Sequence, residues 1–345
     1  MRTISVSVVV PVRNEEGHIA ACLHSLMEQT YPAECYEVIV VDGRSSDRSR
    51  EIAEKFAREF GNVQRVDNPG GTVPVGMNIG IRRASGQIIV RADGHTTYPP
   101  NYLENCVKCL DETGADNVGG PCRTIPDNST ISAHLVAAIL SNPFGVGGSR
   151  FRTGNRQGVV DTVPFGAFRR EVFERVGMFN EKLVRNQDNE FNARIRAAGG
   201  KIYQTPALTT EYHPVGGFRR MLTQTFKTSQ WHIFSVTQNV RCMSLRHFVP
   251  AIFVIALAGL LFAALFSGPP RLALMLILGT YLAAGAYLSF QRSRLYGLQV
   301  ACVLPLACFA FHIVYGAGTL AGLRYLFRAP ASRPIREGQP VNQSQ

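Results

Sequence analysis

The 345-residue sequence predicts an α/β fold with a parallel sheet, followed by a block of membrane helices. Three observations predict it. Short β-branched runs alternate with amphipathic helical stretches through the first hundred residues, the spacing of βαβ units. Two of those runs end on an acid, Asp42 and Asp93, with Glu15 just past a third, and an open α/β sheet keeps its ligand crevice at such carboxyl ends. From Phe248 onward, stretches of 19, 19 and 26 residues carry no charge, and a bilayer core takes about 20 apolar residues per helix.

The elements follow in order. Ser5–Val10 is a strand closed by Pro11-Val12-Arg13-Asn14-Glu15-Glu16, and Ile19, Leu23 and Leu26 then mark one face of a helix. Glu37–Val41 is the second strand, ending at Asp42-Gly43-Arg44-Ser45-Ser46-Asp47. Ser45, Ser46 or Asp47 is placed to cap the next helix, where Ile52, Phe56 and Phe60 share a face. Val63–Val66 is a third strand, Asn68–Thr72 a loop and Val75–Arg83 a helix. That helix leads into the Ile88–Val90 strand and Asp93-Gly94-His95. An aspartate and a histidine two residues apart offer an oxygen and a nitrogen to a divalent cation, with Gly94 allowing a tight turn between them. A plain polar turn fits the same residues.

Charge divides unevenly. The chain carries +11, of which +7 falls from Arg246 onward, where eight Arg accompany one acid, Glu337. Positive loops beside a membrane account for this better than a nucleic-acid-binding face, so no nucleic-acid partner is expected. The eight scattered cysteines suit a reducing compartment. Cys106 and Cys109 form one CxxC without a second pair, which fits ordinary helix positions better than a zinc site. Val6–Val10 is too short for the apolar region of a cleaved signal. No GxGxxG follows the first strand and no GxxxxGK[ST] occurs, so the Rossmann and P-loop readings lack their glycines.

Five segments, in order and spacing, resemble a family 2 glycosyltransferase of GT-A fold, closest to the membrane-attached exopolysaccharide glucosyltransferases of the succinoglycan type. They are Pro11–Glu16, Val40–Asp47, Asn68–Gly71, Ala84–Ile89 and Arg91–His95, and the resemblance covers about residues 5–330. It implies that Asp42 binds the uracil or ribose of a nucleotide sugar, with Pro11, Arg13 and Glu15 lining the base pocket. It implies that Asp93 and His95 stand for the DxD motif and hold Mg²⁺ or Mn²⁺ on the diphosphate, with Asp93 also a donor-binding residue. Phe165 and Gly166, in Asp161–Gly166, resemble the family's strand and turn beneath the donor sugar, and Trp231 ends a segment like its acceptor segment. Ser229-Gln230 replace the usual Gly-Arg before that tryptophan, and an interfacial anchor is the other role open to Trp231.

An inverting transfer needs a carboxylate to take the proton of the acceptor hydroxyl. In the family this is the Asp of a Glu-Asp pair, which aligns with Asp188, preceded here by Gln187. Asp188 also suits the first turn of a helix through the helix dipole. Glu181 and Glu190 complete a cluster of acids, with Glu190 the weaker candidate base and Arg194 structural. His213 is either a metal or diphosphate contact or a structural loop residue. Ser132–Arg152 reads as a membrane-interface segment over the acceptor site or as an amphipathic core helix with a glycine loop.

The expected organisation is a cytoplasmic GT-A domain over 1–245, a membrane domain over 246–328 with about three transmembrane helices, and a disordered tail over 329–345. The expected reaction moves a hexose, glucose by resemblance, from a UDP-sugar to a polyprenyl-diphosphate-linked saccharide at the inner membrane. A polyprenyl-phosphate sugar synthase and an inactive nucleotide-sugar-binding scaffold are the alternatives. Positive charge at Arg246 and at Arg292 and Arg294 orients the first two spans. The third stretch, with His312 and Gly316-Ala317-Gly318 midway, either crosses once or turns back.

Overall fold

The computed structural model describes residues 5–327 apart from 155, 215 and 292. β1 (Val6–Val12), α1 (Ile19–Met27), β2 (Tyr36–Asp42), α2 (Ser49–Glu59), β3 (Val63–Asp67), α3 (Val73–Arg83) and β4 (Ile88–Arg91) form the expected βαβ succession. β5 (Thr96–Thr97), α4 (Tyr102–Thr113), β6 (Asn117–Gly119) and β7 (Cys122–Thr124) follow. Next come α5 (Ile131–Leu140), α6 (Pro143–Val146), α7 (Arg150–Thr153), β8 (Gly158–Val159), β9 (Ala167–Arg169) and α8 (Arg170–Val176). α9 (Gln187–Ala197), β10 (Ile202–Gln204), β11 (Thr210–Tyr212) and α10 (Phe218–Gln238) close the α/β part.

The main sheet runs β3-β2-β1-β4-β9-β6-β10-β8. Its first four strands are parallel, but β9 is antiparallel to both β4 and β6, and β8 is antiparallel to β10. The sheet is therefore mixed where a parallel one was expected, because pattern and spacing report strands but not their direction across long connections. The Asp161–Gly166 segment, expected to include a strand, is irregular, and the strand begins at Ala167. The α2 cap also differs: Arg48 occupies the cap position without a side-chain bond, while Asp47 Oδ1 accepts from the Ser49 N–H at 3.0 Å.

Alternation along β1 builds two cores. Val8 and Val10 face α1 and α4, while Val9 faces Met77 and Ile81 of α3 and Phe191 of α9. Cys106 and Cys109 sit on α4 in the first core, and burial pushes both thiols up, so they act as small apolar side chains. Behind β1, the Glu37 carboxylate accepts from the Ser7 hydroxyl at 2.7 Å, the Ser85 N–H at 2.7 Å and the Gln64 amide at 3.1 Å. This joins β1, β2, β3 and the entry to β4. Gly86 must come this close without a side chain, because a Cβ there would stand 2.7 Å from the Val6 carbonyl carbon.

Three apolar helices form: α11 (Val249–Ala263), α12 (Gly268–Gln291) and, after the short α13 (Ser293–Tyr296), α14 (Leu298–Ala321). Of these, α12 and α14 are long and apolar enough to cross a membrane, with mean hydropathy 1.8 and 2.0. α11, at 15 residues, spans only about 22 Å and is shorter than the 19-residue run suggested. α14 continues through Pro305 and through Gly316-Ala317-Gly318 without turning back. The two glycines are contact points: a Cβ on Gly316 would lie 2.2 Å from the Pro250 carbonyl oxygen of α11, and one on Gly318 would lie 2.1 Å from Ser229 Oγ of α10. α5 packs Leu135 and Ile139 against Leu304, Cys308 and Phe311 of α14, so it joins the α/β part to the apolar helices. His312 of α14 reaches Tyr281 Oη at 2.7 Å and the Gly145 carbonyl at 2.8 Å. The tail expected to be disordered lies outside the described residues.

Burial alone would raise the Glu37 pKa, but the Ser85 and Ser7 bonds outweigh it and hold it below the usual 4.5. A depressed carboxylate contributes stability above its unfolded pKa and loses it as pH falls through the folded one. Glu37→Gln should therefore cost about 1–3 kcal/mol at neutral pH. The gap from wild type should narrow as pH drops below the ordinary glutamate range, as read by thermal melting in detergent.

Candidate active site

The site is built at the carboxyl ends of β1, β2 and β4. Register places Val12 beside Asp42 and Val9 beside Arg91, so the three chain ends leave the sheet together. The exits are stitched by polar bonds: the Asn14 N–H donates to Ser45 Oγ at 3.0 Å, the Ser46 N–H to Asn14 Oδ1 at 2.8 Å and the Glu15 N–H to Ser49 Oγ at 2.7 Å. Asp42 is buried and accepts from the Ser45 N–H at 3.3 Å. Arg13 donates to the Gly71 carbonyl at 2.9 Å, which ties the first loop to the Asn68–Gly71 loop. Pro11 is buried against α3 at Gly76. Pro11, Arg13, Glu15 and Asp42 thus occupy one rim of the crevice.

Asp93 and His95 occupy the adjoining rim. Gly94 between them has no left-handed backbone; its smallness serves close approach, since a Cβ would stand 3.0 Å from Val12 Cγ1 and 3.5 Å from Glu15 Cγ. His95 Nδ1 lies 3.2 Å from Glu15 Oε1, and its ring meets Tyr212 edge-on at 5.0 Å. Burial disfavours the imidazolium, but the Glu15 carboxylate outweighs it and moves the His95 pKa up. Glu15 Oε2 is buried without a partner. His213 donates its backbone N–H to the His95 carbonyl at 2.9 Å and stacks on His18, so its placement follows from the small β5-β11-β7 sheet.

The residue that the sequence reading missed is Arg91. Its side chain is 7% exposed, and its guanidinium reaches Asp93 Oδ1 at 3.1 Å on one side and Asp188 Oδ1 on the other. Asp188 sits in the first turn of α9, whose cap residue Asn186 is left-handed (φ 62). α9 is anchored by a buried chain in which Asn117 donates to Asn192 and Asn192 to Thr162, each at 2.8 Å. The one available signal was a cation inside an otherwise apolar strand, two residues before Asp93. The other acids do not join this site: Glu190 is buried against Arg194 at 2.8 Å and Glu181 accepts from Asn78 at 2.8 Å. Arg194 is structural, bonding the Met178 carbonyl at 2.8 Å.

Phe165 and Gly166 lie under Arg91. Phe165 is buried at φ 47 and its carbonyl accepts from Tyr102 Oη at 2.8 Å, while the Gly166 carbonyl accepts from the Arg91 N–H at 2.9 Å. Trp231 stands apart, packed on Phe234 and Tyr325 with ring centroids at 5.6 and 6.0 Å. A cavity of about 610 Å³ opens between α5–α7, the start of α9, α10 and the helices α11 and α14. Neither Phe165, Gly166 nor Trp231 lines it, whereas Asn186 and Asn189, flanking Asp188, do.

Residues 7–177 match the profile of glycosyl transferase family 2. The succinoglycan biosynthesis protein ExoA of Rhizobium meliloti is 28% identical over 90% of this chain and 92% of its own length. The glycosyltransferase AglE of Haloferax volcanii is 31% identical over 66% of this chain and 73% of its own. Among solved structures, a Pyrobaculum calidifontis mannosyltransferase in complex with GDP-Man and Mn²⁺ superposes with a TM-score of 0.59 at 21% identity, over 93% of this chain and 88% of that one. The chain is a glycosyltransferase of family 2, built on the GT-A fold.

Proposed function

We propose that the chain is an inverting, metal-dependent hexosyltransferase that moves glucose from UDP-glucose to a polyprenyl-diphosphate-linked saccharide in exopolysaccharide synthesis. In this reading residues 1–245 are cytoplasmic and 246–328 hold the enzyme in the inner membrane as a multi-pass protein. The observation that supports the reading is the Arg91 bridge from Asp93, just past β4, to Asp188 of α9, with Asp42 ending β2 on the other side of β1. Pro11, Arg13, Glu15 and Asp42 would hold the uridine. Asp188 would take the proton of the acceptor hydroxyl as its oxygen bonds the anomeric carbon and the bond to the UDP oxygen breaks.

Asp93 and His95 would hold Mg²⁺ or Mn²⁺. Among the described residues no three His, Cys, Asp or Glu side chains form a ready cage. A cation there would need the substrate's phosphates to complete its ligand set. The partnerless Glu15 Oε2 beside His95 adds a buried acceptor that favours positive charge there. When bound, the ion would offset charge on the departing diphosphate. Arg91 keeps Asp93 and Asp188 from facing each other as bare like charges.

The direct test incubates the detergent-solubilised chain with a panel of radiolabelled nucleotide sugars and a lipid extract. Label from UDP-glucose should enter the lipid phase; label from another donor only would overturn the sugar assignment. EDTA should abolish transfer and Mg²⁺ or Mn²⁺ restore it, and Asp93→Ala should weaken donor binding and leave more of the free-Mn²⁺ signal in electron paramagnetic resonance than wild type does. Asp188→Asn keeps shape but removes the proton acceptor, so turnover should fall about 10²–10⁴-fold with UDP-sugar affinity unchanged. A loss confined to donor affinity would make Asp188 a binding residue. Arg91→Gln strands two carboxylates, and should cost about 2 kcal/mol of stability in a denaturant titration, less than a fully buried pair because Asp188 is 35% exposed.

A further inference from the structure

We infer that the cavity between the α/β domain and the apolar helices holds the phosphate of the lipid-linked acceptor, with Arg152 and Arg246 as its cations and α11 and α14 flanking the start of its chain. The inference rests on the lipid-linked acceptor proposed above and assigns it a site.

At about 610 Å³ the cavity is of ligand size. Its wall includes two Arg and three His but no Asp or Glu. Arg152 has no carboxylate partner among the described residues; it lies over the Phe151 and Tyr212 rings at 5.5 and 5.3 Å and donates only to Thr124 Oγ1, at 3.4 Å. Stacked in this way, the guanidinium is held in place with its charge unspent. Arg246 is aimed by Asp161 at 2.8 Å and by the Gly148 carbonyl at 3.1 Å. Gly148 precedes the turn that carries Arg152, so both cations approach one loop. Burial lowers the pKa of His247, and of His232 to about 3, so both rings are neutral and add no charge; His232 is engaged by Thr319 Oγ1 and Tyr315 Oη at 3.3 and 3.5 Å.

The cavity lining is polar and apolar together. Asn186 and Asn189, which flank Asp188, belong to it, and so do Leu140, Phe144, Val249 and Phe311. An amphiphile with a sugar, a phosphate and a hydrocarbon chain suits that mixture; a free anion would not use the apolar residues. Asp42 and Asp93 do not line the cavity. The acceptor anion and the donor diphosphate would therefore be held by different residues, which limits repulsion between them.

The test titrates the full chain in detergent with farnesyl diphosphate, under saturating UDP and Mg²⁺ so that the donor site is filled. Farnesyl diphosphate should bind, and farnesol and inorganic diphosphate should compete poorly. Arg152→Gln should weaken binding about tenfold or more, the range of a lost charge-assisted bond. Arg150→Gln, two residues away and exposed, should not. UDP affinity serves as the check on folding. Val249→Glu, at an exposed position on the wall, adds a like charge and should weaken binding independently. Equal affinity in wild type and both cavity variants, or competition by inorganic diphosphate as strong as that by farnesyl diphosphate, would overturn the site. A chain that binds farnesyl diphosphate through Arg152 yet passes no sugar to a lipid extract would keep this site and lose the transferase reading.

Discussion

The site depends on a single buried cation. Arg91 is the last residue of β4, after three apolar ones, and is nearly sealed from water between Asp93 and Asp188. A guanidinium in that position needs two carboxylates to offset its desolvation, and two carboxylates at that spacing need a cation between them. The consequence is positional: the end of β4 and the first turn of α9, almost a hundred residues apart, are locked to each other. Gly166 completes the lock from below by accepting from the Arg91 N–H, and the neighbouring Phe165 carbonyl is itself held by Tyr102 Oη.

A second constraint sets the site beside the apolar helices. α14 is 44% buried over its most apolar window and α12 only 11%, so the two helices have different tasks. α14 is a keel packed against α5 and α10 of the α/β part, and α12 shows most of its side chains outward. Close approach of α14 to its neighbours rests on Gly316 and Gly318, which remove side chains where α11 and α10 cross it. These small-residue contacts and polar ties such as Tyr281–His312–Gly145 join the apolar helices to each other and to the α/β part. The cavity exists because this docking leaves a gap between α10, α11 and α14.

By itself the sequence determined the strands β1 to β4, the helices between them, the acids at the strand ends and the charge-free helices. All of these are written in short-range patterns: alternation, helical spacing and runs of uncharged residues. It also singled out Asp42, Asp93 and His95, because chemistry-bearing residues at strand ends stand out against apolar neighbours, whereas Asp188 was picked from its acidic cluster only through the family resemblance. Only the tertiary structure decided which of them meet. The antiparallel insertion of β9, the bridge of Arg91 to Asp188, the pairing of His95 with Glu15 and the seating of α5 on α14 all join segments far apart in the chain. Glu181 and Glu190 looked like part of one acidic cluster by proximity in sequence, yet Glu181 accepts from the Asn78 amide of α3 and Glu190 pairs with Arg194 one turn along its own helix. Local propensity sets the elements, and it can place a near partner such as Arg194 for Glu190 or Asp93 for Arg91, but the distant partner of a buried charge, Asp188 for Arg91, is supplied only by packing.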